Sequence, residues 1–275
     1  MNGFWDGKNY ILTGVKNFSL RETLDCGQAF RWIMDSDGVW SAAVGDKFCR
    51  VSQDGEKITF FDCDENLFQN FFCPYFDLER DYEKIVETVS QNEILASACA
   101  IAGGIRILRQ DPWETVCSFI ISQNNNIPRI KGIIERLCEN FGDNKGNFYT
   151  FPSAEKIASL SLEDLSVIRA GFRAKYILDA AKKFASGEIS ADKISSLSTV
   201  DARAELMKIY GVGEKVADCI LLFAFARIDA FPKDVWIKRA MEKLFDGKLP
   251  ECAKGYEGIV QQYIFHYARM TKLDI

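Results

Sequence analysis

The apolar pattern of this chain changes period near residue 65, and that change limits what it can fold into. Before it, short apolar runs alternate with polar positions: Val39-Trp40-Ser41-Ala42-Ala43-Val44, Phe48-Cys49-Arg50-Val51 and Lys57-Ile58-Thr59-Phe60-Phe61. Turn-forming Asp37-Gly38, Gly45-Asp46 and Asp54-Gly55 flank or separate them. A two-residue period between such turns predicts antiparallel strands. From about Glu65 apolar residues recur every three or four positions, which predicts helices over 78–89 and 93–101. Gly103-Gly104 reads as a boundary. After it nearly everything reads as helix: 113–123, 130–141, 154–159, 161–170, 175–186, 199–209, 215–225, 235–245 and 257–269. Several of these begin at or after Ser, Thr, Asp or Pro, as capped helices do. The expected fold is α+β: an antiparallel-sheet domain over 1–104, then an all-α domain over 105–275. No internal repeat or low-complexity segment interrupts it.

Composition narrows the chemistry. A 275-residue chain that is 48% hydrophobic and 27% charged can bury a real core. No apolar stretch is long enough to span a bilayer, and the first ten residues lack a secretion-like run. The expected location is intracellular and reducing: cytoplasm or nucleoid in a bacterium, nucleus in a eukaryote. The nine cysteines are odd in number and form no C-x-x-C pair, which argues against a disulfide framework and against zinc or iron–sulfur sites of ordinary spacing. His266 is the single histidine. Unless that residue serves, Ser-His-Asp and Cys-His mechanisms are excluded, and catalysis must lean on Lys, Asp, Glu, Tyr or Cys. The net charge of −5 gives nucleic acid no long-range attraction, so any DNA contact must rest on local cations or backbone amides.

Such amides are offered at Tyr210-Gly211-Val212-Gly213-Glu214-Lys215. Here a Gly-Val-Gly turn joins two helical patterns at about 200–226. Glycine tolerates a tight turn and lets backbone N–H groups approach a phosphate, and the next helix adds its N-terminal dipole. By itself the turn is a weak signal, equally that of two packed helices. On the second helix Lys215, Cys219 and Phe223 fall at i, i+4 and i+8, on one face. A lysine beside apolar groups gives up its proton more easily, and a neutral amine can form a Schiff base. Asp234, in Pro232-Lys233-Asp234-Val235, is placed to cap the next helix, whose dipole favours its ionised form.

Gly211-Val212-Gly213 with Lys215, then Pro232 and Asp234, resembles the helix–hairpin–helix/Gly-Pro-Asp superfamily of DNA glycosylases, and in particular its 8-oxoguanine DNA glycosylase/lyase branch. The resemblance covers nearly the whole chain. It implies a TBP-like N-terminal sheet domain, a helical glycosylase domain, and duplex DNA containing 8-oxoguanine as partner of a monomeric enzyme. It also implies that Lys215 attacks the sugar carbon and that Asp234 stabilises the developing positive charge, with β-elimination then cutting the strand.

Further motifs carry the rest of the resemblance. Gly27-Gln28-Ala29-Phe30-Arg31-Trp32 is similar to the family's Gly-Gln-x-Phe-Arg-Trp, in which the glycine carbonyl accepts N7–H of oxidised guanine. Gly258-Ile259-Val260-Gln261 with Phe265 is similar to Gly-x-x-Gln-x-x-x-Phe. The implied base pocket is Gly27, Cys219, Phe223, Pro232, Gln261 and Phe265. Asn124-Asn125-Asn126-Ile127-Pro128-Arg129 and Gly171-Phe172-Arg173-Ala174-Lys175-Tyr176 match segments that face the base left behind, implying Asn124, Arg129, Phe172 and Arg173 there. Carbonyls of Met207, Ile209 and Val212 would hold a monovalent cation at the hairpin, and no other cofactor is implied. Relatives carry a phosphate-contacting His where this chain has Trp236, and its acidic partner aligns with Ala268, with Lys238 a nearby substitute.

Two other readings remain open on sequence. One is a glycosylase of the same superfamily that removes alkylated bases or mispaired adenine. Such enzymes often lack the lysine, and the adenine and pyrimidine enzymes usually carry a four-cysteine cluster absent here. The other is a non-catalytic helix–hairpin–helix DNA binder, which needs neither Lys215 nor Asp234.

Overall fold

The computed structural model describes residues 1–272. Its strands are β1 (Asn2–Trp5), β2 (Tyr10–Thr13), β3 (Ile33–Met34), β4 (Trp40–Val44), β5 (Lys47–Asp54) and β6 (Lys57–Phe60). They form one antiparallel sheet in the order β1-β2-β6-β5-β4-β3. The alternation seen in the sequence is the burial pattern of β5 and β6, where Cys49, Val51, Ile58 and Phe60 are buried. Sequence patterning does not reveal β1, β2 or β3. In β2 the consecutive Tyr10, Ile11 and Leu12 are all buried, so nothing alternates. The two edge strands β1 and β3 are exposed throughout, so burial imposes no pattern on them.

Phe60 anchors the sheet to the helical segment behind it. Its ring lies 5.1 Å from Phe68, 5.8 Å from Phe72 and 5.5 Å from Phe76. Aromatic pairs at such spacings add roughly 0.5–1.5 kcal/mol each beyond the area they bury.

The expected helix over 78–89 begins later, at Tyr82, because Asp81 caps it by accepting the Lys84 N–H at 2.9 Å. The expected helix over 161–170 shrinks to a 3-10 turn, Asp164–Ile168, stopped by Arg169 at φ 56°. Two short helices escape the periodicity, Leu20–Leu24 and Ala191–Ser196, each capped by a serine.

Two apolar cores result. The smaller lies under the sheet and includes Trp32, Phe60 and Phe76. The larger gathers the helices, and Tyr82, Ile85, Val89, Leu95 and Ala102 belong to it although they precede Gly103-Gly104. The last helix, Glu257–Met270, packs on Glu93–Ala102. The two cores therefore interlock along the chain.

Arg31 bridges them. Its guanidinium lies 3.4 Å from the Glu114 carboxylate and donates to the Tyr149 carbonyl. Burial pushes the Glu114 carboxyl up to about 7, and Arg31 opposes this only in part. The native state thus holds this proton to higher pH than the unfolded chain. Stability from this group is full below the unfolded value of 4.5 and is lost as pH rises through about 7. Thermal melts between pH 5 and 8 should show a decline for the native protein that Glu114→Gln flattens. Parallel curves for the two would contradict the assignment.

Candidate active site

Distant segments converge on one cavity of about 520 Å³, three of which carry most of the residues singled out by sequence. They are the loop at Gly27, the helix Glu214–Phe225 and the helix Glu257–Met270. Gly27, Lys215, Cys219, Phe223, Pro232, Asp234, Gln261 and Phe265 all line it. The base-pocket set expected from sequence is thus brought together.

Lys215 sits half-buried in the first turn of Glu214–Phe225. Its Nζ lies 5.6 Å from the centre of the Phe119 ring, which in turn stacks on Phe223 at 5.3 Å. It forms no ion pair with a described residue. Burial pushes the Cys219 thiol up, against the smaller opposite pull of the lysine charge. Cys219 therefore stays a neutral thiol near pH 7 and serves as a wall.

Asp234 does cap the helix Val235–Phe245, accepting the Ile237 N–H through Oδ1 at 2.7 Å. The cap fixes the carboxylate at the cavity wall while using one of its two oxygens. Gln261 and Phe265, four residues apart, present one face of the last helix to the cavity. An amine, a carboxylate and aromatic walls in one enclosure can attack an electrophilic carbon and offset positive charge that develops on it.

The Gly27 loop is held by its neighbour. Gly27 takes φ +87°, a region closed to most side chains, although a Cβ there would meet only Ile127 at 4.0 Å. Conformation, and not space, requires glycine. The Gln28 side chain is buried and donates to the carbonyls of Thr23 and Arg106, both at 2.8 Å. Its Oε1 accepts the Leu108 N–H at 2.9 Å, and its own carbonyl accepts from Gln110 at 2.7 Å.

A second cluster lies around a cavity lined by Arg129, Gly171 and Phe172. Phe172 is half exposed, and the Arg173 guanidinium sits 4.4 Å from its ring centre. Arg173 is itself buried and bonds the carbonyls of Gln123, Asn124 and Ala170. Four of its five N–H groups are thus engaged in holding the turn where Asn124 adopts φ 46°. At the hairpin, Gly211 needs both its φ of +83° and its lack of side chain, since a Cβ would lie 2.5 Å from the Tyr176 ring. Gly213 begins the next helix with no side-chain cap, so that helix's first N–H groups have no side-chain partner from the cap.

Residues 10–116 match the family described as 8-oxoguanine DNA glycosylase, N-terminal domain. Residues 117–251 match the HhH-GPD superfamily of base excision DNA repair proteins. The N-glycosylase/DNA lyase of Saccharomyces cerevisiae is 31% identical over 82% of this chain and 67% of its own length. The probable N-glycosylase/DNA lyase of Methanothermobacter thermautotrophicus is 33% identical over 72% of this chain and 74% of its own. Among solved structures, the Clostridium acetobutylicum 8-oxoguanine glycosylase/lyase, in complex with double-stranded DNA containing cytosine opposite 8-oxoG, superposes with a TM-score of 0.92. It is 37% identical, with 99% of each chain covered.

The chain belongs to the 8-oxoguanine DNA glycosylase/lyase family. Against the family pattern, the departure at Trp236 is structural as well as sequential. Trp236 is half exposed and lines the cavity, whereas Ala268 is buried. Lys238 does not line this cavity; Arg269 does, eight residues after Gln261 on the same helix. Sequence reasoning also passed over Phe119, Ile127 and Gln262 as lining residues. Gln262 adjoins a residue already singled out, which was the available signal.

Replacing Gln28 by Leu would strand the Leu108 N–H and the Arg106 carbonyl, and leave the Thr23 carbonyl with only the weak Cys26 thiol donor at 3.3 Å. A buried unsatisfied group costs about 1–3 kcal/mol, so urea denaturation should show Gln28→Leu destabilised by at least about 2 kcal/mol. A loss within error of zero would show that the loop is held by other contacts.

Proposed function

We propose that this chain excises 8-oxoguanine from duplex DNA and then cuts the strand at the resulting site. The observation that carries this reading is that Lys215, Asp234, Gly27, Gln261 and Phe265, from separate parts of the chain, line a single cavity. The lesion is turned out of the helix into that cavity. Its flat ring stacks between Phe265 and the Cys219 side, while Gln261 bonds its Watson–Crick edge. The Gly27 carbonyl accepts N7–H of the oxidised base. Normal guanine offers a bare acceptor at N7 and is repelled.

The Lys215 amine attacks C1′ of the deoxyribose, and the bond to the base nitrogen breaks with its electron pair leaving on the base. The Asp234 carboxylate opposes the positive charge on the sugar. Ring opening gives an imine between Lys215 and C1′. Loss of a C2′ proton then expels the 3′ phosphate by β-elimination. These steps need no redox cofactor.

Asn124, Arg129 and Phe172 face the base left behind, with the ring of Phe172 filling the vacated stack. Arg173 sets the turn that presents Asn124 and has one N–H left for that base. The amides of Gly211, Val212 and Gly213 anchor a backbone phosphate. A monovalent cation on the carbonyls of Met207, Ile209 and Val212 would brace this turn. The Ile209 carbonyl fits that role, because it accepts one N–H, from Val212 at 3.0 Å, and keeps a second lone pair. The enzyme acts as a monomer in a DNA-containing intracellular compartment. No helix of the described residues is long and apolar enough to cross a membrane.

Single-turnover assays on a duplex with 8-oxoguanine opposite cytosine test the assignment, with base release and strand cleavage followed separately. Lys215→Gln should lose both by at least about 10³-fold, and Asp234→Asn should slow base release by about 10²-fold or more. Full base release by Lys215→Gln would mean that water, and not the lysine, is the nucleophile.

A further inference from the structure

Gln262 is 6% exposed, lines the same cavity and lies beside Gln261 on the last helix. Its Nε2 donates to Gln261 Oε1 at 2.6 Å. Its own Oε1 is buried and has no partner. A buried acceptor left unpaired is unusual and costs about 1–3 kcal/mol. Among the described residues no group donates to it: Phe30, Phe119, Phe223 and Phe265 on the walls are aromatic hydrocarbon, while Ser122 donates to the Phe119 carbonyl and Asn125 to the Ile121 carbonyl. A donor on a bound ligand would satisfy it.

The two glutamines are coupled. Because Gln262 donates to Gln261, the pair places two amide oxygens side by side with one N–H already consumed between them. A ligand edge that matches carries two adjacent donors. Guanine-type bases have such an edge in N1–H and the exocyclic amine, whereas adenine-type bases put an acceptor at N1. The terminal amide torsion of Gln is broad and soft, so a modest rotation brings Oε1 to the base, with the Nε2 bond to Gln261 readjusting as the amide turns.

We propose that Gln262 is a second base-reading residue, its Oε1 accepting the exocyclic amine of the extruded guanine-type base beside Gln261. This rests on the cavity being an 8-oxoguanine site. It assigns the selection of guanine-derived lesions to a pair of amides, distinct from the recognition of oxidation at Gly27.

The test compares 8-oxoguanine with 8-oxohypoxanthine, which lacks only the exocyclic amine, each opposite cytosine in single-turnover excision. The native enzyme should favour 8-oxoguanine by about tenfold or more, as a site built to bond a polar group rejects an analogue lacking it. Gln262→Met should lose about tenfold on 8-oxoguanine and little on 8-oxohypoxanthine, so that the discrimination collapses. The ratio between lesions is insensitive to overall stability, so a destabilised variant still reports. Equal losses on both lesions, or no loss on either, would overturn the proposal and leave Gln262 a packing residue. Failure of the native enzyme to release 8-oxoguanine would instead overturn the reading of the cavity.

Discussion

The buried side chain of Gln28 is the interaction on which the rest of the site depends. One amide satisfies the Thr23 and Arg106 carbonyls and the Leu108 N–H, so the loop carrying Gly27 is tied to the irregular segment that follows Gly103-Gly104. Thr23 reinforces this by accepting the Arg106 N–H at 3.1 Å and donating to the Gly104 carbonyl at 3.3 Å. Cys26 and Phe30 on either side of Gly27 already pack in the helical core, and the Gln28 bonds fix the backbone of the loop between them relative to Lys215. Base discrimination needs such preorganisation, because a carbonyl that can move away from an unwelcome acceptor no longer repels it.

Much of this was legible in the sequence, for physical reasons that can be named. Lys215, Cys219 and Phe223 share a face through helical spacing alone, and all three line the cavity. Asp234 sits where a cap should and is one. β5 and β6 show because one sheet face is buried. Other features left no trace. From Thr115 to Ile121 every residue is buried, so no face of that helix distinguishes the cavity wall at Phe119 from ordinary core. The resemblance implies only a base contact for Arg173, and its burial follows from backbone carbonyls some fifty positions away, which no local pattern encodes. The orphaned Oε1 of Gln262 is likewise a property of the folded cavity.

The acidic balance of the chain is consistent with this design. With a net charge of −5, the protein as a whole does not draw DNA from a distance. Under the proposed function, contact falls to local groups: uncapped amides after Gly213, and cationic Arg129 and Arg269 near the two cavities. Trp236, half exposed, adds an aromatic surface to the lining of the main cavity where the family resemblance implies a histidine.

The central claim is that Lys215 becomes covalently joined to the sugar. Borohydride reduction during turnover of an 8-oxoguanine duplex, followed by proteolysis and mass spectrometry of the trapped protein, tests this most directly. The account predicts a reduced sugar adduct on the peptide containing Lys215, at its Nζ, and no adduct with undamaged duplex. An adduct on another lysine or on the terminal amine, or base release with no adduct at all, would contradict it.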